Sequence, residues 1–506
     1  MRFTKKSSLL LMLLLAGTSM AFCQTDDQNS LGAEFSKEYG SLKGNCFKPS
    51  FKQFGGCMKT IAMDPPLHLA FGSIAPQNGF SSGLAFVHHR NPSEAISMNF
   101  NTDAVVSTNQ SWRAGSYVKI VWQDASALTS GEIKNPTAED LKKALEAANQ
   151  TEQARRPILN LYTQATSLNK LVYFGPGQTS STANRTFFGL QESITGINGI
   201  LPMSMLHSRL PFLSLNGEIN GRTIDVRGRH GDTSPSIETR FAEGNTPGLV
   251  QQPEFIEFGE GIRLKTRSTR FVLLDYSARL QHFHALGNPL LSFRRFTLDL
   301  SHEIPLYSRT KAKENNGKKV PAKPLSTGGF LGPDDAFSNA GPDQTETRGD
   351  VVSAIPSVTR VTRNLQGSIG LRAMLVESIA HTGGAVPFYF QPTLGGSDIN
   401  GEQRLPSYAD YRFRAPNMLL GRATFEHSIY WIFGVAALAD VGKVAATRGD
   451  LELKHLRHSF AVGFTVRAGN LPKARIMFAW GGREGTHTIG YIDPQLLAGT
   501  SRPSLY

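Results

Sequence analysis

The sequence repeats with period two almost throughout. In "SFAVGFTVR", Phe460, Val462, Phe464 and Val466 alternate with Ser459, Ala461, Gly463, Thr465 and Arg467. In "RFTLDLS", Phe296, Leu298 and Leu300 alternate with Thr297, Asp299 and Ser301. "GIRLKTR" sets Ile262 and Leu264 against Arg263, Lys265 and Arg267, and in "RIMFAW" Ile476, Phe478 and Trp480 share one face. Successive side chains of a strand point to opposite sides, so this spacing demands half-apolar strands rather than helices. Such segments recur from Pro66 to about Asp493. Beyond the first 23 residues, no apolar run reaches the roughly 18 to 20 residues of a membrane-crossing helix.

Alternation alone fits a soluble sandwich with its polar face in water. It equally fits an outer-membrane barrel with its apolar face in lipid and its polar face in the lumen. Three features favour the barrel. The apolar faces carry many aromatics, charged side chains line the polar faces along much of the chain, and the N-terminus carries an export signal. Closure is also demanded in lipid, because an open edge leaves unpaired amides in hydrocarbon. The expectation is an all-β fold, a transmembrane antiparallel β-barrel over residues 66–506. At roughly 9 to 11 residues per strand plus connections, it holds about 16 strands.

Arg2, Lys5 and Lys6 precede "SSLLLMLLLAGTSMAFC", the pattern of a secretory signal over residues 1–23 with cleavage after Ala21 or Cys23. Bulky Phe22 argues against lipid attachment at Cys23. The mature chain is therefore expected in the cell outer membrane. Residues 24–65 form a short periplasmic N-terminal segment, too small for a core of its own, lying against the barrel mouth or in its lumen. Its Cys46 and Cys57 meet an oxidising compartment and are expected to form a disulfide. Residues 135–156 read as a helical insertion, with Thr137 as N-cap and Leu141 and Leu145 on one face. Residues 308–353 read as a long polar loop, placed on the extracellular side because that side carries the longer loops.

The formal net charge of +12 suits anionic lipid and lipopolysaccharide phosphates. Nucleic acid would need a dense basic stripe interleaved with aromatics. The main basic cluster, "SRTKAKENNGKKVPAK", is broken by Pro, Asn and Gly, so no nucleic-acid partner is expected. Enzyme signatures are poor. His282 and His284 share a strand face without a carboxylate or cysteine to complete a metal set. The glycines around Gly259 and Gly261 lack the strand-to-helix context of a phosphate loop. There is no nucleophile elbow. His458 beside Ser459 keeps a lipid hydrolase as a lesser alternative. No catalytic residue, metal or cofactor is expected.

The stretch "LGGSD…LPSYADYRFR", followed by "LLGRATFEHSIYWIFGVAALADVGKVA", resembles the C-terminal, surface-antigen type barrel of the BamA/TamA family of bacterial outer-membrane proteins. That family has a glycine pair followed by Ser/Thr and Asp, then an arginine-glycine-aromatic tip, on a loop folded back into the lumen. A strand with an inward Glu follows, then one ending in Asp-x-Gly. The matching residues are Gly395, Gly396, Ser397, Asp398, Tyr408, Asp410, Tyr411, Arg412, Phe413, Arg414, Glu426, Asp440 and Gly442. Pro406 and Ser407 stand where the family has Arg-Gly, and five extra residues, "NGEQR", sit just upstream. Arg404 or Arg412 then takes the place of the tip arginine, Arg404 lying nearer the tip. Strand parity points Glu426 and Asp440 into the lumen, so a cationic tip would meet two carboxylates.

The resemblance implies a non-enzymatic role in outer-membrane protein insertion or translocation. Its partners would be client outer-membrane proteins or a separate periplasmic protein. A weak seam between first and last strands would offer edge backbone to a client strand. Relatives carry periplasmic repeat modules, and residues 24–65 are too few to hold one. A passive pore or structural barrel is therefore the alternative.

Overall fold

The computed structural model describes residues 66–492, apart from 94, 123–155, 204–211, 229–234, 270–271, 314–358, 431–432, 469–470, 483 and 485–486. Before residue 66 it describes only a few residues between 32 and 43. These are helical, and Phe35 and Tyr39 among them are exposed. The expected signal peptide, the Cys46–Cys57 pair and nearly all of the helical insertion 135–156 lie outside the described residues.

The strands are β1 (Leu67–Gly72), β2 (Ser81–Ser93), β3 (Ile96–Ser107), β4 (Trp112–Trp122), β5 (Ile158–Tyr173) and β6 (Thr186–Pro202). Next come β7 (Leu213–Gly228), β8 (Phe255–Thr269), β9 (Val272–Ala285), β10 (Phe293–Lys313), β11 (Thr359–Ala380), β12 (Thr393–Leu394) and β13 (Phe413–Arg414). The last are β14 (Asn417–Tyr430), β15 (Phe433–Ala445), β16 (Arg457–Ala468), β17 (Leu471–Trp480) and β18 (His487–Ile492). Strands β1 to β11 and β14 to β18 make one 16-stranded sheet in which sequence neighbours are spatial neighbours, while β12 pairs only with β13. Every ladder of the sheet is antiparallel. No ladder joins β1 to β18 among the described residues. At six residues each, they are about half the length of most other strands.

The polarity of the sheet is inverted relative to a soluble protein. On β8, Phe258 and Ile262 are half exposed while Glu257 is fully buried. On β16, Phe464 is 65% exposed and Thr465 is 0% exposed. On β7, Leu215 and Ile219 face out while Asn220 and Arg222 are buried. A sheet in water would hide the greasy side chains and show the charged ones, whereas this one has the wall of a membrane-spanning barrel. Strand β4 marks the width of the band. Trp112 and Trp122 both face outward, ten residues apart. Ten residues rise about 33 Å, and a tilt of about 40° reduces this to about 25 Å along the axis, the height of a lipid-facing band with an aromatic girdle at each border.

The concave side is held by polar pairs between strands that are adjacent or, for Arg279 of β9 and Glu218 of β7, separated by β8. Arg113 pairs with Asp103, Arg222 lies between Glu257 (2.6 Å) and Glu192 (3.4 Å), and Arg279 pairs with Glu218. Such pairs fix strand register, because leaving one member alone would strand a charge in the interior.

Strand parity also settles sidedness. Strand β1 and strand β11 start, and β10 and β18 end, at the same end of the sheet. The chain before β1, the connections 123–157 and 314–358, and the chain after β18 therefore all emerge there. The connection 381–416 emerges at the other end. This corrects one expectation: a periplasmic N-terminal segment and an extracellular 308–353 loop are incompatible, because an even number of strands separates them. The loop boundary also moves, since β10 continues to Lys313.

Candidate functional site: the lumen loop

Residues 381–416 link β11 to β14 and fold into the concave side of the sheet. The first layer of contact is apolar. Phe388 packs edge-on against Tyr173 of β5 and Phe188 of β6, with ring centroids 5.3 and 5.2 Å apart. Phe390 meets Phe255 of β8, Phe283 of β9 and Phe293 of β10 at 4.9, 5.0 and 5.6 Å. One tripeptide touching five strands requires the sheet to curl around it. Arg295 of β10 is fully buried, donates to the Phe390 carbonyl and lies over the Phe283 and Phe293 rings. Leu394, Leu405, Tyr408 and Phe413 form a second buried cluster with Met418 and Leu420 of β14. The loop brings its own apolar core, and its charges are satisfied around that core.

The second layer is a hairpin closed by β12 and β13. Gly395 and Gly396 hold φ of +102° and +59°, and a Cβ would stand 2.4 Å from the Arg412 Cβ at the first and 2.5 Å from the Asp410 nitrogen at the second. Both conformation and contact exclude a side chain there. Asp410 accepts the Ser397 N–H at 2.8 Å. Asp398, at the tip, accepts the Asn400 and Glu402 N–H groups at 2.9 and 2.8 Å. Gly442 lets the loop approach the wall, since a Cβ there would lie 3.0 Å from Leu394.

Arg404 is buried between Asp398 at 3.3 Å and Glu402 at 2.6 Å. Glu402 also accepts Arg372 of β11, which grips Asp299 of β10 in a fork. Asp440 is fully buried on β15. It takes Arg422, its register partner on β14, through two 2.8 Å bonds, and the Leu405 N–H at 2.9 Å. Ser407 donates its N–H to Ser459 of β16 at 2.8 Å. So the tip arginine does not meet the wall carboxylate. Arg422 already neutralises Asp440, and Arg404 finds its counter-ion in Glu402, a residue of the extra "NGEQR" run. Glu426 is 9% exposed on the inward face of β14, and Arg404 does not reach it.

Arg412 reaches outward from the hairpin. Its Nε donates to both Glu484 oxygens at 2.7 and 2.8 Å, and its terminal nitrogens bond the Ser180 hydroxyl and carbonyl at 2.8 and 2.6 Å. Its plane covers the Phe174 and Phe413 rings. Tyr411 donates to the Pro76 carbonyl at 3.4 Å, and Gln77 donates to Asp410 at 3.3 Å. Residues 410–412 therefore hold the β1–β2 hairpin, the β5–β6 connection and the β17–β18 hairpin together. Arg414 donates to the Phe388 carbonyl at 2.7 Å, tying the two layers. Tyr408 lies against Gly482 of the β17–β18 hairpin, where a Cβ would sit 2.0 Å from its hydroxyl.

His458 and Ser459 occupy opposite faces of β16, the first exposed and the second buried, and do not form a pair. Sequence reading missed Phe388, Tyr389 and Phe390, although "FYF" next to Pro387 and outside any alternating run was a visible signal. It also missed Arg422. The β14–β15 ladder, which pairs Tyr430 with Phe433, places Arg422 opposite Asp440. Ser180 and Glu484 carried no signal, because only the curl of the sheet brings them to Arg412.

Burial pushes the Asp398 carboxyl up to about 6 from an ordinary value near 3.8, against the pull of Arg404. Arg372 and Arg404 hold Glu402 well below the usual carboxylate range, overcoming its burial. Asp398, Glu402, Asp299 and Asp440 are four carboxylates facing three guanidiniums, Arg404, Arg372 and Arg422, so one proton balances the cluster. A raised carboxyl stabilises the fold while protonated, so its contribution is lost as pH rises through about 6. Glu402 acts oppositely, and its contribution is lost only as pH falls below the carboxylate range. Amide exchange at Gly401 and Leu405, corrected for intrinsic rates, is expected to be slower at pH 5 than at pH 8. Asp398→Asn should abolish that difference.

No family model matches the chain, and no curated protein matches it. Among solved structures, CdiB from Acinetobacter baumannii is similar with a TM-score of 0.43 and 8% identity, over 84% of this chain and 59% of that one. BamA from Haemophilus ducreyi lacking POTRA domains 1-3 has a TM-score of 0.43 and 9% identity, over 84% and 69%. CdiB from Escherichia coli has a TM-score of 0.43 and 10% identity, over 83% and 61%. This chain thus spans about three fifths of either CdiB chain.

Proposed function

We propose that the chain is an integral outer-membrane barrel, filled from one end by residues 381–416, that acts without enzymatic chemistry in outer-membrane protein insertion or translocation. The supporting observation is the pair of sheet edges. Strands β1 and β18 each lack a second partner among the described residues, in a sheet whose outward face is apolar. Unpaired N–H and C=O groups facing hydrocarbon are costly, so such an edge favours pairing with a strand from another chain. The aromatic layer around Phe388 and Phe390 fills one end of the lumen and speaks against a passive open pore. The surroundings would be outer-membrane lipid and lipopolysaccharide. Clients would be nascent outer-membrane proteins, delivered by a separate periplasmic partner at the end where β1 starts.

Two measurements test this reading. A photo-crosslinker at Leu69 of β1 is expected to capture unfolded outer-membrane protein added to the reconstituted barrel, and one at Leu161 of β5 is not. Equal capture at both sites would remove the edge-pairing role. In planar bilayers, deleting residues 400–407 should raise conductance several-fold over the intact chain. An unchanged conductance would mean that the hairpin tip does not limit the lumen.

A further inference from the structure

On the outward face of β8, the strand and register neighbours of Glu260 are apolar or lack a side chain, and the one polar group diagonal to it is His282 of β9, the register partner of Phe258. Its same-face neighbours along the strand are Phe258 and Ile262, 49% and 50% exposed. Across the sheet it is paired with Gly217 of β7 and Leu280 of β9. The residue is exposed, and among the described residues it has no hydrogen-bond or ion-pair partner. Outward charges on nearby strands behave differently. Asp225 of β7 and Arg294 of β10 lie within three residues of a strand end, at the border of the band, and Glu377 of β11, three residues from its strand end, is 9% exposed and pairs with Arg448 at 3.2 Å. Glu260 lies five residues from the nearer end of β8.

A carboxylate at this depth faces hydrocarbon, where an unpaired charge is costly and marks a functional site with a missing partner. The surface beside it is shaped to receive one. Gly217 and Gly221 face outward on β7, and a Cβ at either meets nothing within 4 Å. Gly199 of β6 is the register partner of Gly217. The row Gly199–Gly217–Glu260 is therefore a shallow trough ending on the charge. Lipids carry their cationic groups at the interface rather than at this depth. A second copy of the chain brings no matching arginine or lysine either, because the outward ones on the described strands, such as Arg294 and Lys443, lie near strand ends, and the mid-strand His302 of β10 is bonded to the Tyr276 hydroxyl.

We propose that the lipid-facing trough at Gly217 and Glu260 docks a different membrane-embedded polypeptide that presents an arginine or lysine side chain to the Glu260 carboxylate. This goes beyond the edge-pairing role and rests on the outward face of the sheet lying in lipid. The two are separable, because the protein must first float with vesicles, and failure to float would overturn the lipid-facing reading itself.

The test uses the full chain in phosphatidylcholine vesicles. The probe is a synthetic leucine–alanine helix of about 21 residues with one central arginine, and its control carries glutamine instead. Energy transfer between labelled protein and peptide is expected to show at least tenfold tighter saturable binding of the arginine peptide. Glu260→Gln should erase that preference, and Glu377→Gln should keep it. Glu260→Leu should leave the heat-induced gel-shift temperature unchanged or higher, since the carboxylate holds nothing within the barrel. The proposal is overturned by equal binding of both peptides, by a preference that survives Glu260→Gln, or by a Glu260→Leu variant that melts earlier. Glu260-dependent energy transfer between two labelled copies without peptide would also overturn it, by showing self-association.

Discussion

Asp440→Ala is expected to destabilise the barrel by about 3 to 5 kcal/mol and to release the loop tip. The magnitude is that of removing one member of a buried ion pair, because the survivor is left charged and unsolvated. Here the survivor is Arg422, whose side chain is 9% exposed and whose two bonds to Asp440 would both be lost. The Leu405 N–H loses its acceptor as well. Asp440→Asn should cost less, since an amide oxygen still accepts one bond. The double variant Arg422→Met with Asp440→Leu should recover most of the stability but not the anchoring of the tip. The gel-shift temperature reads the first effect and protease cutting within 401–407 reads the second. A single alanine variant with wild-type values for both would show that the loop is held by its aromatic layer alone.

Arg412→Ala is expected to act on a different part of the molecule. The hairpin carrying Glu484 and the connection carrying Ser180 are both held by this one guanidinium. Its loss should cost about 2 to 4 kcal/mol, a range built from one charge-assisted fork and two further hydrogen bonds. Amide exchange should quicken in β18 and in residues 176–185, far from the tip. Arg412→Lys should not rescue it, because an ammonium cannot form the fork to Glu484 while also bonding Ser180 and covering Phe174. Arg404→Ala offers the contrast. It leaves Asp398 without a guanidinium and Glu402 with Arg372 alone, so faster cutting is expected at 401–407 with β18 unchanged. Identical exchange patterns for the two arginine variants would refute this division of roles. The two candidates for the tip arginine thus have separate tasks, one internal to the hairpin and one joining it to the first and last thirds of the sheet.

Much of the wall was legible in the sequence because its cause is local. Alternation in "SFAVGFTVR" or "GIRLKTR" follows from the two-residue repeat of a strand, whatever the rest of the chain does. The same parity placed Glu426 and Asp440 on one side of their strands, and a glycine pair before Asp398 marked a tight, side-chain-free turn. Counting such segments led to about sixteen strands. What parity does not carry is distance. Which cation would face Asp440 depended on the β14–β15 register, and the loop tip offered it a backbone amide instead. The side on which 308–353 emerges depended on an even strand count, which loop length does not report.

The alternation by itself determined that this chain makes strands with one greasy and one polar face, and that its glycine-paired loop must turn sharply. Only the curled sheet decided that the polar face is the inside and that Phe388 and Phe390 reach five strands. It also brought Arg412 to Ser180 and Glu484, residues 232 and 72 positions away in the chain. The reason is physical: side-chain direction is set by the backbone of neighbouring residues, whereas contacts across a lumen exist only once a whole sheet has bent around what it encloses.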